Sequence, residues 1–284
     1  MNTASPNTSE RYTTRLQIIQ RLEGGIMSGH MARGMDMKSA AQSAAKSSEA
    51  CLVAVNNLYD ANQQDFSPIL AEARLVGATE LFVAGVAGLV ANGKSPDDAL
   101  MAASRAREPM LRAANGIALA ATAASEHVAS EGANERIQSA ARNMAGIMSG
   151  QMARGMALDS AIQDAAKYRD GCLLGATSLQ EVSEGNFSPA LAKERLLEAS
   201  QHFSTAVAGL VGRGESPAEA LAKTSRNRDF ILGDANDRVC HATAAANPEL
   251  PRELNLATLA ARRAADGRGG APTRRSTYGV SGPG

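Results

Sequence analysis

Residues 25–35 read GIMSGHMARGM, and residues 146–156 read GIMSGQMARGM. The two blocks lie 121 positions apart and differ at one residue. From there the match runs on: 25–115 aligns with 146–236 without an insertion, and roughly half the positions are identical. DFSPILAEARL at 65–75 is answered by NFSPALAKERL at 186–196, and VAGLVANGKSPDDAL at 86–100 by VAGLVGRGESPAEAL at 207–221. Chance does not produce agreement of this length, so the chain carries an internal duplication, and the fold must be read as a repeat.

A fainter repeat lies inside each copy, offset by 59. Gly29 and Gly34 correspond to Gly88 and Gly93, then to Gly150 and Gly155, then to Gly209 and Gly214. Ala40, Ala99, Ala161 and Ala220 follow the second glycine of each pair at one fixed interval. An acid follows further on in every unit, at Glu49, Glu108, Asp170 and Asp229, and a leucine after it, at Leu52, Leu111, Leu173 and Leu232. The chain therefore reads as four units of about 60 residues, paired into two halves.

The second and fourth units say what a unit is. In ANGKSPDDAL and GRGESPAEAL a glycine closes one helix and Ser-Pro opens the next. Gly93 and Gly214 suit the left-handed position just past a helix end. Ser95 and Ser216 suit the N-cap, and Pro96 and Pro217 the first helical position. FSP at 66–68 and 187–189 reads as the same start signal for the helix upstream. Each unit is then an αα-hairpin. The expected fold is all-α: four tandem αα-hairpins arranged as an internal duplication, in two similar four-helix bundles or one eight-helix array. The helices are expected near 12–33, 37–61, 68–92, 96–129, 134–154, 158–183, 189–213 and 217–246, with a kink at Pro109. The halves span 12–130 and 131–247. Residues 1–11 are expected to be disordered, 248–266 have the pattern for one short extra helix, and the Gly/Pro/Ser/Arg-rich 267–284 reads as a disordered tail.

Composition agrees. Hydrophobic residues make up 44% of the chain but aromatics only 3%, with no Trp. The core must therefore be built from Ala, Leu, Val and Met, which favours helices over strands. Lys and Arg number 29 and Asp and Glu 29, so no net charge draws the chain to nucleic acid or an anionic membrane. Three cysteines, Cys51, Cys172 and Cys240, do not make a disulfide framework. No apolar run reads as a membrane span, and MNTASPNTSERYTTR has no apolar segment of a Sec signal. The expected location is a reducing cytoplasm. The alternative is secretion without a Sec signal, because this Ser/Thr/Asn-rich start resembles the delivery segment of bacterial type III secreted effectors.

Met27, Met31 and Met35 fall on one helix face, as do Met144, Met148, Met152 and Met156. Glycines beside them let a neighbouring backbone approach, and flexible thioethers fill the gaps that Ala and Gly leave. The block reads as a contact seam, either between the halves or within each. Two sharper readings stand beside it: a Cu(I) site built from Met27, His30 and Met31, and a Met-lined pocket for a small apolar ligand or a partner helix. Gln151 replaces the imidazole in the second copy, which counts against copper. The fourfold acids read as partners of arginines: Glu49 with Arg21, Asp170 with Arg142, and Glu108 and Asp229 beside Arg107 and Arg228. Cys51 and Cys172 read as buried small hydrophobes.

No catalytic motif is present: no GxSxG, GxxxxGK[ST], HExxH or CxxC. No catalytic or cofactor-binding residue is assigned. The chain reads as a non-catalytic helical scaffold whose partner is another protein or itself, with no nucleic acid and no membrane span. The rival readings are a secreted bacterial effector acting on a host protein, and a carrier of a small apolar ligand or soft metal.

Overall fold

In each unit the chain reverses at a glycine. Gly34, Gly93, Gly155 and Gly214 have φ of +87°, +97°, +88° and +101°, a region that side chains with a Cβ rarely adopt. Around each, the amide two residues past the helix end reaches back to an orphan carbonyl. Met35, Lys94, Met156 and Glu215 donate to the carbonyls of His30, Leu89, Gln151 and Leu210 at 3.0–3.2 Å. This is the Schellman closure, repeated four times. The next helix starts on a side-chain cap in three units: Asp36, Ser95 and Ser216 accept from the amides of Ser39, Asp98 and Glu219 at 3.0, 3.2 and 3.3 Å. Ala157 holds that place in the third unit without a side-chain cap.

The computed structural model describes residues 8–123 and 131–246. Of these, 86% are helical, in twelve helices and no strands. They are α1 (Thr8–Ala32), α2 (Met37–Lys46), α3 (Ser48–Gln64), α4 (Ala71–Ala91), α5 (Pro96–Arg105), α6 (Arg107–Ala123), α7 (Glu131–Ala153), α8 (Leu158–Ala166), α9 (Arg169–Asn186), α10 (Ala192–Gly212), α11 (Pro217–Arg226) and α12 (Arg228–Ala246). The fold is all-α, with repeated helical units.

Where eight helices were expected there are twelve, because the second arm of every hairpin is broken in two. The breaks fall at the same repeat position: Ser47, Ala106, Tyr168 and Asn227, each with φ between −88° and −100° and ψ between 8° and 16°. There the amide turns to a carbonyl three residues back, as Ser47 does to Ala44 at 3.0 Å and Asn227 to Thr224 at 3.0 Å. Pro109 is not a mid-helix kink. It lies in the first turn of α6, where its missing N–H is not needed, and the break before it recurs in units that have no proline.

Two further boundaries differ from the sequence reading. FSP does not start a helix: after Pro68 and Pro189 the chain makes a turn, and α4 and α10 begin at Ala71 and Ala192. Leu70 and Leu191, just before them, sit in the left-handed region with φ of 64° and 61°. At the other end of the hairpin, α1 starts at Thr8, inside the segment expected to be disordered. The short extra helix expected at 248–266 and the disordered tail expected at 267–284 lie outside the described residues.

The long helices α1, α4, α7 and α10 pack side by side in chain order, and α3, α6, α9 and α12 form a second row against them. The short helices α2, α5, α8 and α11 join the rows. α4 packs on α7 as α1 packs on α4, so the halves form one continuous array around one hydrophobic core from Ile18 to Ala235. α4 is long and apolar enough to cross a membrane, but 72% of its apolar window is buried inside this array. Ala40, Ala99, Ala161 and Ala220 are fully buried, the small contact points where each short helix meets its neighbours.

Candidate functional site

The duplicated block sits at the ends of α1 and α7, and its glycines and methionines work on opposite sides. Gly29 of α1 lies so close to α4 that a Cβ there would stand 2.6 Å from the Ala87 carbonyl oxygen and 2.8 Å from Val90 Cβ. Gly150 of α7 repeats this on α10, at 2.6 Å from the Ala208 carbonyl oxygen and 2.7 Å from Val211 Cβ. Gly146 is tighter still, 2.5 Å from the carbonyl oxygen of Ser204. Glycine is therefore required here by backbone proximity, within each half.

The methionines face the other way and join the halves. Met144, Met148 and Met152 are fully buried. Met152 lies over Gly88 of α4, with Cε and Sδ 2.9 and 3.1 Å from where a Cβ would sit. At Gly85 Leu158 Cδ1 stands 3.1 Å from where a Cβ would sit, as does Met110 Cε of the first half, with Met148 Cε at 3.9 Å. In the first copy Met27 is half-buried, while Met31 and Met35 are 44% and 37% exposed. The cause is position: among the described residues α1 packs on α4 and α3, and no long helix covers this face as α4 covers that of α7. Truncating Met148 to Ala should cost about 2–4 kcal/mol through lost burial and a residual cavity. Leu at the same place should cost under about 1.5 kcal/mol, because it roughly conserves volume. Met31→Ala should stay within about 0.5 kcal/mol. Urea unfolding of the three variants checks this, and equal losses at Met31 and Met148 would refute the assignment.

The single difference between the two blocks has a partner. His30 Nε2 lies 2.9 Å from Ser43 Oγ on α2. In the second copy Gln151 Nε2 donates to the Asp164 carboxylate on α8, and positions 43 and 164 are equivalent. Both ends of one inter-helix hydrogen bond changed together. His30 is buried against α2, whereas Met31 faces solvent, so the copper candidates Met27, His30 and Met31 divide between core and surface. Among the described residues no group of three or more His, Cys, Asp or Glu stands together to hold a metal ion.

Arg21 and Arg142 do not pair with Glu49 and Asp170. Both reach Glu80 on α4, at the equivalent repeat position between them: Arg21 forms a short ion pair with it, and Arg142 Nε donates to Oε1 at 3.1 Å. Gln138 Nε2 donates to the same oxygen at 3.1 Å. Arg142 continues to α10, donating to Ser200 Oγ at 2.7 Å and the Leu197 carbonyl at 3.1 Å. One buried polar chain thus crosses α1, α4, α7 and α10. Burial pulls the Arg142 guanidinium pKa down, and the Glu80 charge opposes it. The four acids instead occupy the first turns of α3, α6, α9 and α12, where negative charge suits the helix dipole. Glu108 pairs with Arg112, Asp170 with Arg169 and Asp229 with Arg228.

Sequence reading missed two buried arginines, Arg74 and Arg195, at equivalent places in the halves. Arg74 donates to the Asn62 and Ser67 carbonyls at 3.0 Å each, to Asn62 Oδ1 at 2.5 Å and to Asn115 Oδ1 at 3.1 Å, and lies 4.8 Å from the Phe66 ring centroid. Arg195 repeats this with Ser183, Ser188, Asn236 and Phe187. Each guanidinium locks an FSP loop through neutral oxygens. Burial lowers the pKa of both arginines. The available signal was the constant spacing from FSP to Arg in both copies.

Cys51 and Cys172 are fully buried free thiols, and Cys240 is half-buried. Burial pushes the Cys51 thiol up to about 12 and the Cys172 thiol higher still, so neither forms a thiolate near neutral pH. An aromatic disulfide reagent at pH 8 should titrate Cys240 in the native chain and the other two only on unfolding. Fast native reaction at Cys172 would contradict the structure.

No protein-family model and no curated protein matches the chain. Two solved structures that do match are both de novo designed helical repeat proteins. Each is 17% identical, with TM-scores of 0.36 and 0.35; each match covers 79% of this chain and 98% or 97% of the designed one.

Proposed function

We propose that this chain is a non-catalytic scaffold that binds an elongated segment of a partner protein along the row formed by α3, α6, α9 and α12. One observation carries the reading. Each of these stacked helices exposes a large apolar side chain: Val53, Leu119, Leu174 and Phe230 are 55%, 53%, 72% and 78% accessible. Repeat arrays offer such extended surfaces; Val53 and Leu174 share one repeat position, and with Leu119 and Phe230 they give a partner segment several anchor points. Free buried thiols fit a reducing cytoplasm as the setting.

The test is selection of displayed peptides on the full chain, followed by binding of the enriched peptides to a Leu174→Asp, Phe230→Asp double variant. Both positions are exposed, so circular dichroism should show an unchanged fold. Binding weaker by about tenfold or more on the variant is the expected result. Equal binding, or no enrichment, would overturn the proposal.

A further inference from the structure

The seam between α4 and α7 has two faces, and the repeat places a copy of each at the ends of the array. The α7 side consists of Met148, Met152 and, from the following helix, Leu158. The α4 side consists of Gly85 and Gly88, over which they lie, and of Asn92, whose Nδ2 donates to the Met152 carbonyl at 3.1 Å. Shifting the α7 side by the repeat offset gives Met27, Met31 and Met37. Met31 and Met37 are 44% and 66% exposed, and among the described residues no helix covers them. Shifting the α4 side gives Ala206, Gly209 and Arg213 on α10, all exposed. The molecule thus displays, at opposite ends, the two halves of an interface that it closes once internally.

We infer that copies of this chain associate end to end, with Met27, Met31 and Met37 of one copy seated on Ala206 and Gly209 of the next. The inference rests on the scaffold reading and names a second copy as one partner. Chemistry at the two ends supports it. Gly209 is open: a Cβ there would meet nothing closer than Arg213 Nη1 at 3.9 Å, so it is not held by its own fold. Ala206 adds one methyl where Gly85 meets Leu158, and the residue opposite it in the junction is the unbranched Met37, which bends where leucine does not. Arg213 stands where Asn92 caps α7, a cation placed for the carbonyl end of the incoming α1. Gln20 and Glu23 replace Ala141 and Met144 of the internal seam, so the junction is more polar and weaker than its internal counterpart. Because the joined surfaces differ, the contact is heterologous and propagates into chains or closes into rings.

Sedimentation velocity of the full chain, from low micromolar to near-millimolar concentration, should show oligomers growing past the dimer. Gly209→Arg and Met31→Glu should each weaken association about tenfold or more at unchanged melting temperature, with Met37→Glu as a second variant at the same end. The decisive sample is an equimolar mixture of Gly209→Arg and Met31→Glu. One retains a sound α1 face and the other a sound α10 face, so the mixture should form a heterodimer that neither forms alone. Three results would overturn the inference. The wild-type chain is monomeric throughout; or Gly209→Arg associates as strongly as wild type, which makes the contact Met face on Met face; or association appears only after deleting 247–284, which makes the chain's own tail the occupant of α10. Peptide binding at the second row is untouched by these variants, so a monomer that still binds peptide removes the junction and leaves the scaffold.

Discussion

Gly150→Val should destabilise the chain by about 3 kcal/mol or more, enough to leave part of the population unfolded at ambient temperature. The new Cβ would stand 2.6 Å from a backbone oxygen and 2.7 Å from Val211 Cβ, and neither is the end of a flexible side chain. Relief requires moving α7 off α10 as a whole, and that separates the core on both sides of α7. Gly209→Val supplies the control. It stands at an equivalent position one unit on, has open space around it, and should change stability by under about 0.5 kcal/mol. Thermal and urea unfolding of both variants checks the pair. Matching stabilities would show that α7 and α10 do not approach as closely as described.

Glu80→Ala should cost about 3–5 kcal/mol, because it leaves the buried Arg142 guanidinium without its counter-charge. Arg21, more exposed, can turn to water; Arg142 cannot. The double variant Glu80→Leu, Arg142→Met should recover most of the loss, since apolar residues of similar size replace buried ion pairs with little penalty. A double variant as unstable as the single would mean that packing, and not charge, accounts for the effect. A Glu80→Ala variant as stable as wild type would show that the three charges are not linked as described.

The fold was legible because its signals are local and repeated. Gly93 and Gly214, with Ser-Pro two residues on, mark a helix end and a helix start by backbone geometry alone, and the alignment extends them to units that lack Ser-Pro. The break in each second arm was written in the same alignment. The acids at Glu49, Glu108, Asp170 and Asp229 are first-turn residues, although in a segment of continuous helical pattern they read as ion-pair partners. The arginines were harder. Arg21, Glu80 and Arg142 occupy one repeat position on successive helices, so their pairing depends on which long helices lie adjacent, a tertiary fact. Pairing them within a hairpin assumed that the nearest charges in sequence were nearest in space. Arg74 and Arg195 read as surface in the sequence because they are charged, and only the folded FSP loop supplies the carbonyl oxygens that make burial tolerable.

The two kinds of seam give the array an uneven tolerance of added atoms. Where Gly29 meets Ala87, and Gly150 meets Ala208, main chain rests on main chain, and a small rotation of one helix about the other produces a clash at once. At Gly85 and Gly88 of α4 the neighbours are the side-chain ends of Leu158, Met110 and Met152, and thioethers change rotamer for a fraction of that energy. A substitution at the α4–α7 glycines therefore meets side chains that can yield, whereas one at Gly29 or Gly150 meets main chain that cannot.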